Sequence, residues 1–141
     1  MVSGKSQKVA RMVERYAGQG HDPHYVGYFH LFNQGFFYEA HDVLENLWLP
    51  KRKEPLGDFY KSLIQLAGAF VHLQKHRLRP AAALFKLAEN NLAKYGNACQ
   101  GLDLRSVHEL IARYAKAIAA TDYETNPLRT MGAPQLALPS A

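Results

Sequence analysis

The chain has 141 residues, of which 48% are hydrophobic and 21% are charged. This balance is typical of one globular domain with a single core, and it excludes collagen-like and intrinsically disordered proteins. The formal net charge of +5 directs attention to acidic partners such as nucleic acid. The Lys and Arg residues are dispersed, however, and their densest groups, at 51–53 and 75–79, carry no interleaved aromatic residues, which argues against a nucleic-acid surface.

Two features of the sequence bear on the compartment. The first residues contain no hydrophobic signal segment, and no apolar run reaches the roughly 18 residues that span a bilayer. The single cysteine, Cys99, cannot form an intramolecular disulfide, which agrees with a reducing environment. We therefore expect a cytoplasmic protein without a membrane partner.

Apolar periodicity predicts two helices in the first part of the chain. The first runs from about Ser6 to Ala17, where apolar residues recur at helical spacing. The second follows Asp22, a suitable N-cap, and reaches about Gln34. Gly35 then occupies the position after the helix, where a left-handed backbone favours glycine.

The third predicted helix, Gly35–Trp48, combines charged residues with core residues. On an α-helix its apolar side chains gather on one face, which must be buried. His41, Glu45 and Trp48 fall along one edge of that face. Leu49-Pro50 is expected to end the helix, since proline disfavours a helical residue before it.

The fourth predicted helix, from about Leu56 to Arg77, is apolar nearly all round, which predicts a central position in the fold. A narrow stripe is the exception, with Gln65 and His72 at its ends and the small residues Gly68 and Ala69 between them. Small residues allow a neighbouring helix to approach closely. We therefore expect this stripe to pack against the polar edge of the third helix.

Two further helices complete the prediction. Pro80 opens the fifth, which Gly96 ends, and Asp103 caps a sixth that ends near Ala120. No strand pattern of useful length and no internal repeat is apparent.

The predicted fold class is all-α, a compact array of about six helices around a central apolar helix in a single domain. We expect the helical domain to occupy residues 1–121. Residues 122–141 form a proline-containing tail that is either strapped over the bundle or disordered.

Two consecutive motifs carry a family resemblance. They read Phe32-x-x-Gly35-x-Phe37-x-Glu39-Ala40-His41-Asp42-x-Leu44-Glu45-x-x-Trp48 and Gln65-Leu66-Ala67-x-Ala69-x-x-His72. With them the chain resembles a family of small prokaryotic helical proteins known as domain of unknown function 309, over about residues 28–95. Asp42 stands where the family motif has glutamate, and its shorter side chain reduces reach. The resemblance implies a compact helical domain and the position of a site, without a reaction.

The candidate pocket joins residues of the third and fourth helices. Its members are Glu39, His41, Asp42, Glu45, Trp48, Gln65 and His72. His41 and Glu45 have the i, i+4 spacing at which side chains meet on a helix. An imidazole oriented by a carboxylate can act as a general acid or base, or bind a small polar ligand. The alternative is a structural network that only satisfies buried polar groups.

No metal and no cofactor is expected. The sequence lacks both the paired Glu-x-x-His motif of di-iron bundles and the His-Glu-x-x-His motif of zinc proteases. One metal alternative stays open, a site formed by His41 and His72 with Glu45 or Glu39.

The sequence favours a binding or scaffold-like domain whose partner is a small polar ligand or a protein, with self-association as a further option. The first alternative is a small hydrolase-like or metal-dependent enzyme. In that case His41 is the acid or base, Glu45 or Glu39 orients it, and His72 and Gln65 contact the substrate. The second alternative is nucleic-acid binding through the dispersed basic residues.

Overall fold

Seven α-helices dominate the computed structural model of the protein, which describes residues 4–141. Their bounds are α1 Gly4–Val13, α2 Pro23–Asn33, α3 Phe37–Lys51, α4 Gly57–Gln74, α5 Leu78–Leu92, α6 Leu104–Ala120 and α7 Pro127–Thr130. Two 3₁₀ turns, Glu14–Tyr16 and Ala93–Tyr95, follow α1 and α5, and an antiparallel hairpin of β1 Ala98–Cys99 and β2 Leu102–Asp103 precedes α6. The predicted all-α class is confirmed. Residues 1–3 of the predicted domain lie outside the described residues.

Three local signals at helix ends are confirmed. Asp22 caps α2, because its Oδ1 accepts a hydrogen bond from the backbone N–H of His24 at 2.8 Å. Asp103 caps α6 in the same way, accepting from the backbone N–H of Arg105 at 3.0 Å. Gly35 has a φ of +83°, the left-handed conformation predicted for the residue that turns the chain into α3.

Several helix bounds differ from the predicted ones. The helical pattern extends to Ala17, but α1 ends at Val13 and continues as a 3₁₀ turn. The helix α3 runs through Pro50 to Lys51, because a proline this close to the end removes a hydrogen bond from the last turn only. Similarly, α5 begins before Pro80, which lies in the first turn, where a backbone N–H has no helical partner.

The predicted central position of α4 is confirmed, since it packs between α3 and α5. The ring of Phe70 on α4 joins four other helices, because it contacts Phe32 of α2, Phe37 of α3, Phe85 of α5 and Tyr114 of α6 at centroid distances of 4.9–5.6 Å. Full burial of such a ring contributes about 1.5–3 kcal/mol to stability.

The helices that the structure describes are too short or too polar to cross a bilayer. Although α4 is largely apolar, no helix within residues 4–141 combines the length and apolar character that crossing a bilayer requires.

A second, smaller cluster attaches α1 to the outside of α2 and α3. It consists of Val9, Val13, Tyr16, Val26 and Val43. This packing positions Lys5 and Ser6, one turn before Val9, beside the polar side of α3.

Hydrogen bonds hold the segment after α7 against the rest of the molecule. The amide of Asn33 on α2 makes two hydrogen bonds with the backbone of Leu136, at 2.7 and 2.8 Å. Further on, the backbone N–H of Ser140 donates to the carbonyl of Gly101 at 2.9 Å. Gly101 has a φ of +73°, and a Cβ there would overlap the carbonyl of Ser140, so both conformation and contact require glycine. The division between domain and tail at residue 121 stays a prediction.

Candidate functional site

The outer side of α3 carries a group of polar and aromatic side chains that we call the α3 face. It comprises Tyr38, Glu39, His41, Asp42 and Glu45, together with Phe36, the residue that immediately precedes α3. His41 lies between two carboxylates, with Nδ1 3.2 Å from Asp42 Oδ1 and Nε2 3.7 Å from Glu45 Oε2. The helical repeat accounts for the second distance. The structure thus brings together three of the predicted site residues.

Lys5 of α1 adds a cation that sequence reasoning missed. Its Nζ lies 3.2 Å from Asp42 Oδ1 and 3.5 Å from Glu45 Oε1. The hydrogen bond with Asp42 is the main cause of a raised pKa for Lys5. Sequence periodicity cannot predict this ion pair, because Lys5 precedes Glu45 by 40 positions. The two carboxylates beside His41 are therefore already partly neutralised.

A second polar chain extends from Asn46 on the neighbouring side of α3. Asn46 Nδ2 donates to His24 Nε2 at 3.3 Å, while His24 Nδ1 donates to Asp22 Oδ1 at 2.8 Å. These two contacts require the same histidine tautomer, with the proton on Nδ1. Ser6 Oγ also lies 3.4 Å from Asn46 Oδ1. This series of hydrogen bonds links α1, α2 and α3, and its side chains serve as partners for one another.

Two predicted residues at the edges of the site have different surroundings. Trp48 is half-buried and packs against the main core, and its Nε1 is a buried donor without a hydrogen-bond partner among the described residues. Glu39 is half-buried and precedes His41 by two residues. The indole of Trp48 therefore contributes chiefly by packing beneath the end of α3.

The predicted packing of the α4 stripe against α3 is wrong. Gln65 Oε1 accepts a hydrogen bond from Asn91 Nδ2 of α5 at 2.9 Å. A Cβ on Gly68 would meet Leu84, also on α5, at 3.2 Å. The stripe therefore faces α5. Because α4 is apolar nearly all round, its periodicity cannot distinguish which neighbour each side will meet.

His72, at the end of that stripe, has an environment of its own. Burial lowers its pKa, and the nearby charges of Arg77 and Lys75 lower it further. Its Nδ1 is buried and has no hydrogen-bond partner within residues 4–141. His72 is thus held in a setting that disfavours its protonation.

No group of three or more His, Cys, Asp or Glu side chains is arranged to hold a metal ion in the part of the chain that the structure describes. The alternative ligand set of His41, His72 and Glu45 is accordingly not assembled. The reason is the orientation of α4, whose polar stripe faces α5 while His41 and Glu45 lie on the outer side of α3.

A concave site that sequence reasoning missed lies between α5 and α6. This α5/α6 groove has a volume of about 560 Å³. Apolar side chains form its floor and walls, namely Ala82, Phe85, Ile111, Ala112 and Ala115. Charged side chains also line it, namely Lys86, Glu89, His108, Glu109 and Lys116. A volume of this size falls within the range of small-molecule sites, about 300–1,000 Å³.

A histidine–carboxylate pair stands in the lining of the groove. His108 Nδ1 donates to Glu89 Oε1 at 2.7 Å. The other carboxylate oxygen, Glu89 Oε2, is buried and lacks a hydrogen-bond partner among residues 4–141. The sequence holds a signal for this pair: Glu89 follows Ala81 and Phe85 at four-residue steps, and His108 interrupts the apolar stripe of α6. Such interruptions mark titratable groups held beside a core.

Together the fold and these sites define a small all-α domain with a polar helix face and a separate apolar groove. The model of the family described as Domain of unknown function (DUF309) matches residues 25–84. The resemblance that the two motifs indicate is therefore confirmed, and it extends from α2 into α5. No curated protein and no solved structure matches the chain.

Proposed function

We propose that the protein is a binding domain and that its α3 face receives a protein partner. The candidate residues Glu39, His41, Asp42 and Glu45 contribute the polar part of this surface. Trp48 packs against the core near the end of α3, whereas Gln65 and His72 belong to the stripe of α4 that faces α5 and lie outside this surface. The observation that carries the proposal is the exposure of two aromatic side chains at the beginning of α3, Phe36 and Tyr38, of which Tyr38 lies against His41.

These aromatic residues are unusually open to solvent for their size. Phe36 is 50% exposed and Tyr38 is 55% exposed, although the other Phe and Tyr residues of α2, α3 and α4 are buried. The ring of Tyr38 lies against that of His41, with centroids 6.2 Å apart and planes 27° apart. Exposed aromatic residues surrounded by polar groups are the usual anchors of protein interfaces.

The charges of the face define the chemistry of the partner. Glu39, Asp42 and Glu45 are three carboxylates, and Lys5 forms ion pairs with Asp42 and Glu45. The α3 face is therefore acidic in a protein whose net charge is +5. A partner with basic residues around an apolar patch would complement it and would be steered toward it.

The same geometry favours binding over acid–base catalysis. Both ring nitrogens of His41 face carboxylates, and those carboxylates are paired with Lys5. A substrate would need a cleft beside His41, whereas the groove of about 560 Å³ lies between α5 and α6. A cytoplasmic location also belongs to this proposal, supported by the free Cys99.

A photo-crosslinking amino acid at Tyr38 tests the proposal in cells that produce the protein. We expect a protein adduct at Tyr38 and none at the exposed Lys61, which serves as the control position. The adduct's purified partner should then bind the unmodified chain, and Phe36→Ala or Tyr38→Ala should weaken that binding about ten-fold or more. Leu138→Ala, an exposed apolar residue in the C-terminal segment, should leave the affinity unchanged.

Three results would contradict the proposal. Crosslinks from Tyr38 to nucleic acid would support the alternative based on dispersed basic residues. Crosslinks to a second copy of the chain would make the face a self-association surface. Equal affinities of the Tyr38→Ala and Leu138→Ala variants for the purified partner would show that the interface lies elsewhere.

A further inference from the structure

We infer that the α5/α6 groove binds a small molecule that has an apolar body and a primary ammonium group. This inference is independent of the proposed function, because no residue that lines the groove belongs to the α3 face. It rests on three observations, which are the shape of the groove, the composition of its walls and the state of one carboxylate oxygen.

The shape results from small residues on two facing helices. Ala82 of α5 and Ala112 and Ala115 of α6 line the groove, while Phe85 and Ile111 are buried at its base. Because alanine side chains are short, α5 and α6 do not fill the space between them. The surface exposed there is apolar, so an apolar ligand body would gain free energy by leaving water.

The polar lining of the groove contains an acceptor without a donor. Glu89, a lining residue of the groove, accepts a hydrogen bond from His108 at Oε1, whereas its Oε2 is buried and lacks a hydrogen-bond partner within residues 4–141. A buried carboxylate oxygen without a hydrogen bond is costly. A ligand that donates a hydrogen bond to it therefore removes an existing penalty as well as making a new contact.

The carboxylate is within reach of a ligand although Oε2 itself is covered. The Glu89 side chain is 42% exposed, and the terminal torsion of a glutamate is soft. Turning the carboxylate about this torsion brings Oε2 toward the groove; because Oε1 moves with it, the His108 ring must follow for their hydrogen bond to be kept. This movement requires no change in the backbone of α5.

The sign of the charge on the ligand follows from the same group. Lys86 and Lys116 on the rim are offset in formal charge by Glu89 and Glu109, so the rim as a whole selects neither sign. An ammonium group donates hydrogen bonds and complements the Glu89 carboxylate, whereas an anionic group would be repelled by it. The oxygen that lacks a partner therefore decides in favour of a cation.

Three probes that share one apolar body separate the contributions of body and head group. We would titrate the full-length protein with 4-phenylbutylamine, 4-phenylbutanol and 4-phenylbutyrate by calorimetry at about pH 8, where the amine is charged and the acid is ionised. The amine should bind most tightly, with a Kd about ten-fold or more below that of the carboxylate. The alcohol should lie between them.

Two pairs of variants locate the site. Glu89→Gln should weaken binding of the amine about ten-fold and leave binding of the alcohol within about two-fold, while Glu14→Gln in the 3₁₀ turn after α1 should change neither. Ala112→Trp should abolish binding of all three probes by filling the groove. Ala119→Trp, two turns further along α6 and outside the lining, should retain it. Retained alcohol binding in Glu89→Gln also verifies that this variant is folded.

Several outcomes would overturn the inference. The tightest binding by 4-phenylbutyrate would show that the lysines of the rim determine the ligand. Unchanged amine binding in Ala112→Trp would move the site away from the groove. Absence of binding by every probe, or a dimer in sedimentation that Ala112→Trp converts to monomer, would mean that no such small-molecule site exists or that a second copy occupies the groove.

Discussion

The α3 face and the α5/α6 groove contain similar residues in opposite arrangements. On the α3 face, His41, Asp42 and Glu45 are close in sequence and pair with one another and with Lys5. In the groove, Glu89 and His108 are 19 positions apart and meet beside an apolar concavity. A dense cluster of titratable residues is easily seen in a sequence, but the same density lets its members satisfy each other. Small-molecule binding depends instead on a concave surface and on polar groups that remain without hydrogen-bond partners.

The family resemblance separates the two regions in the same way. The matched residues 25–84 include the whole α3 face, and they end before Glu89 and His108. The α3 face thus lies within the part of the chain that the family model matches. Glu89 and His108, the polar pair of the groove, lie in the part of the chain outside the match.

The largest expected effect is on stability and concerns Phe70. Its ring contacts α3, which carries the α3 face, and also α5 and α6, which form the groove. Phe70→Ala should lower the free energy of unfolding by about 3–5 kcal/mol, because it leaves a cavity among rings of α2, α3, α5 and α6. Chemical denaturation measured by circular dichroism gives this value. Phe36→Ala, at the exposed end of the α3 face, is the control and should cost less than about 1 kcal/mol. Similar costs for both variants would mean that the two regions do not share one core.

A smaller effect tests whether His72 is separate from the α3 face. Because the pKa of His72 is lowered in the folded protein, the unfolded chain binds more protons at pH values just below about 6.5. Stability that is present above this value should therefore decrease as the pH falls from about 7.5 to about 5. Urea midpoints should show a smaller decrease for His72→Gln than for the parent protein. Gln74→Ala, nearby on α4, should keep the parent's pH dependence, and an identical decrease in all three would refute this account of His72.

Double-mutant cycles compare the ion pairs of the two regions directly. The coupling free energy of Glu89 and His108 should be about 1 kcal/mol, because their contact is short and lies beside the core. The coupling of Lys5 and Asp42 should be about 0.3 kcal/mol, since the Lys5 side chain is 55% exposed. Alanine substitutions and chemical denaturation supply both values. A larger coupling on the α3 face would reverse the comparison drawn between the regions.

The smallest expected effect is the dependence of the α3 face on salt. Lys5→Ala should cost about 0.2–0.5 kcal/mol of stability in dilute buffer, and this cost should vanish at about 1 M salt, where exposed charges are screened. Lys61→Ala is the matched control for an exposed lysine. A cost that persists in high salt would indicate that Lys5 stabilises α1 by packing and not by charge.

Particular residues show how far the sequence predicts this protein. The caps at Asp22 and Asp103 and the turn at Gly35 follow from local stereochemistry, which depends only on neighbouring residues. The proximity of His41 and Glu45 follows from the helical repeat alone. The orientation of Gln65 toward Asn91 could not be predicted, because both sides of α4 meet apolar neighbours.

The sequence by itself determined the all-α class, the central position of α4 and the concentration of charge on α3, because hydrophobic periodicity and capping act over a few residues. Only the tertiary structure decided that Lys5 reaches Asp42, that the stripe of α4 faces α5, and that Glu89 meets His108 beside a groove. These contacts depend on how whole helices rotate and pack against one another. That rotation results from the sum of many core contacts, so it cannot be predicted from the residue pattern of any one helix.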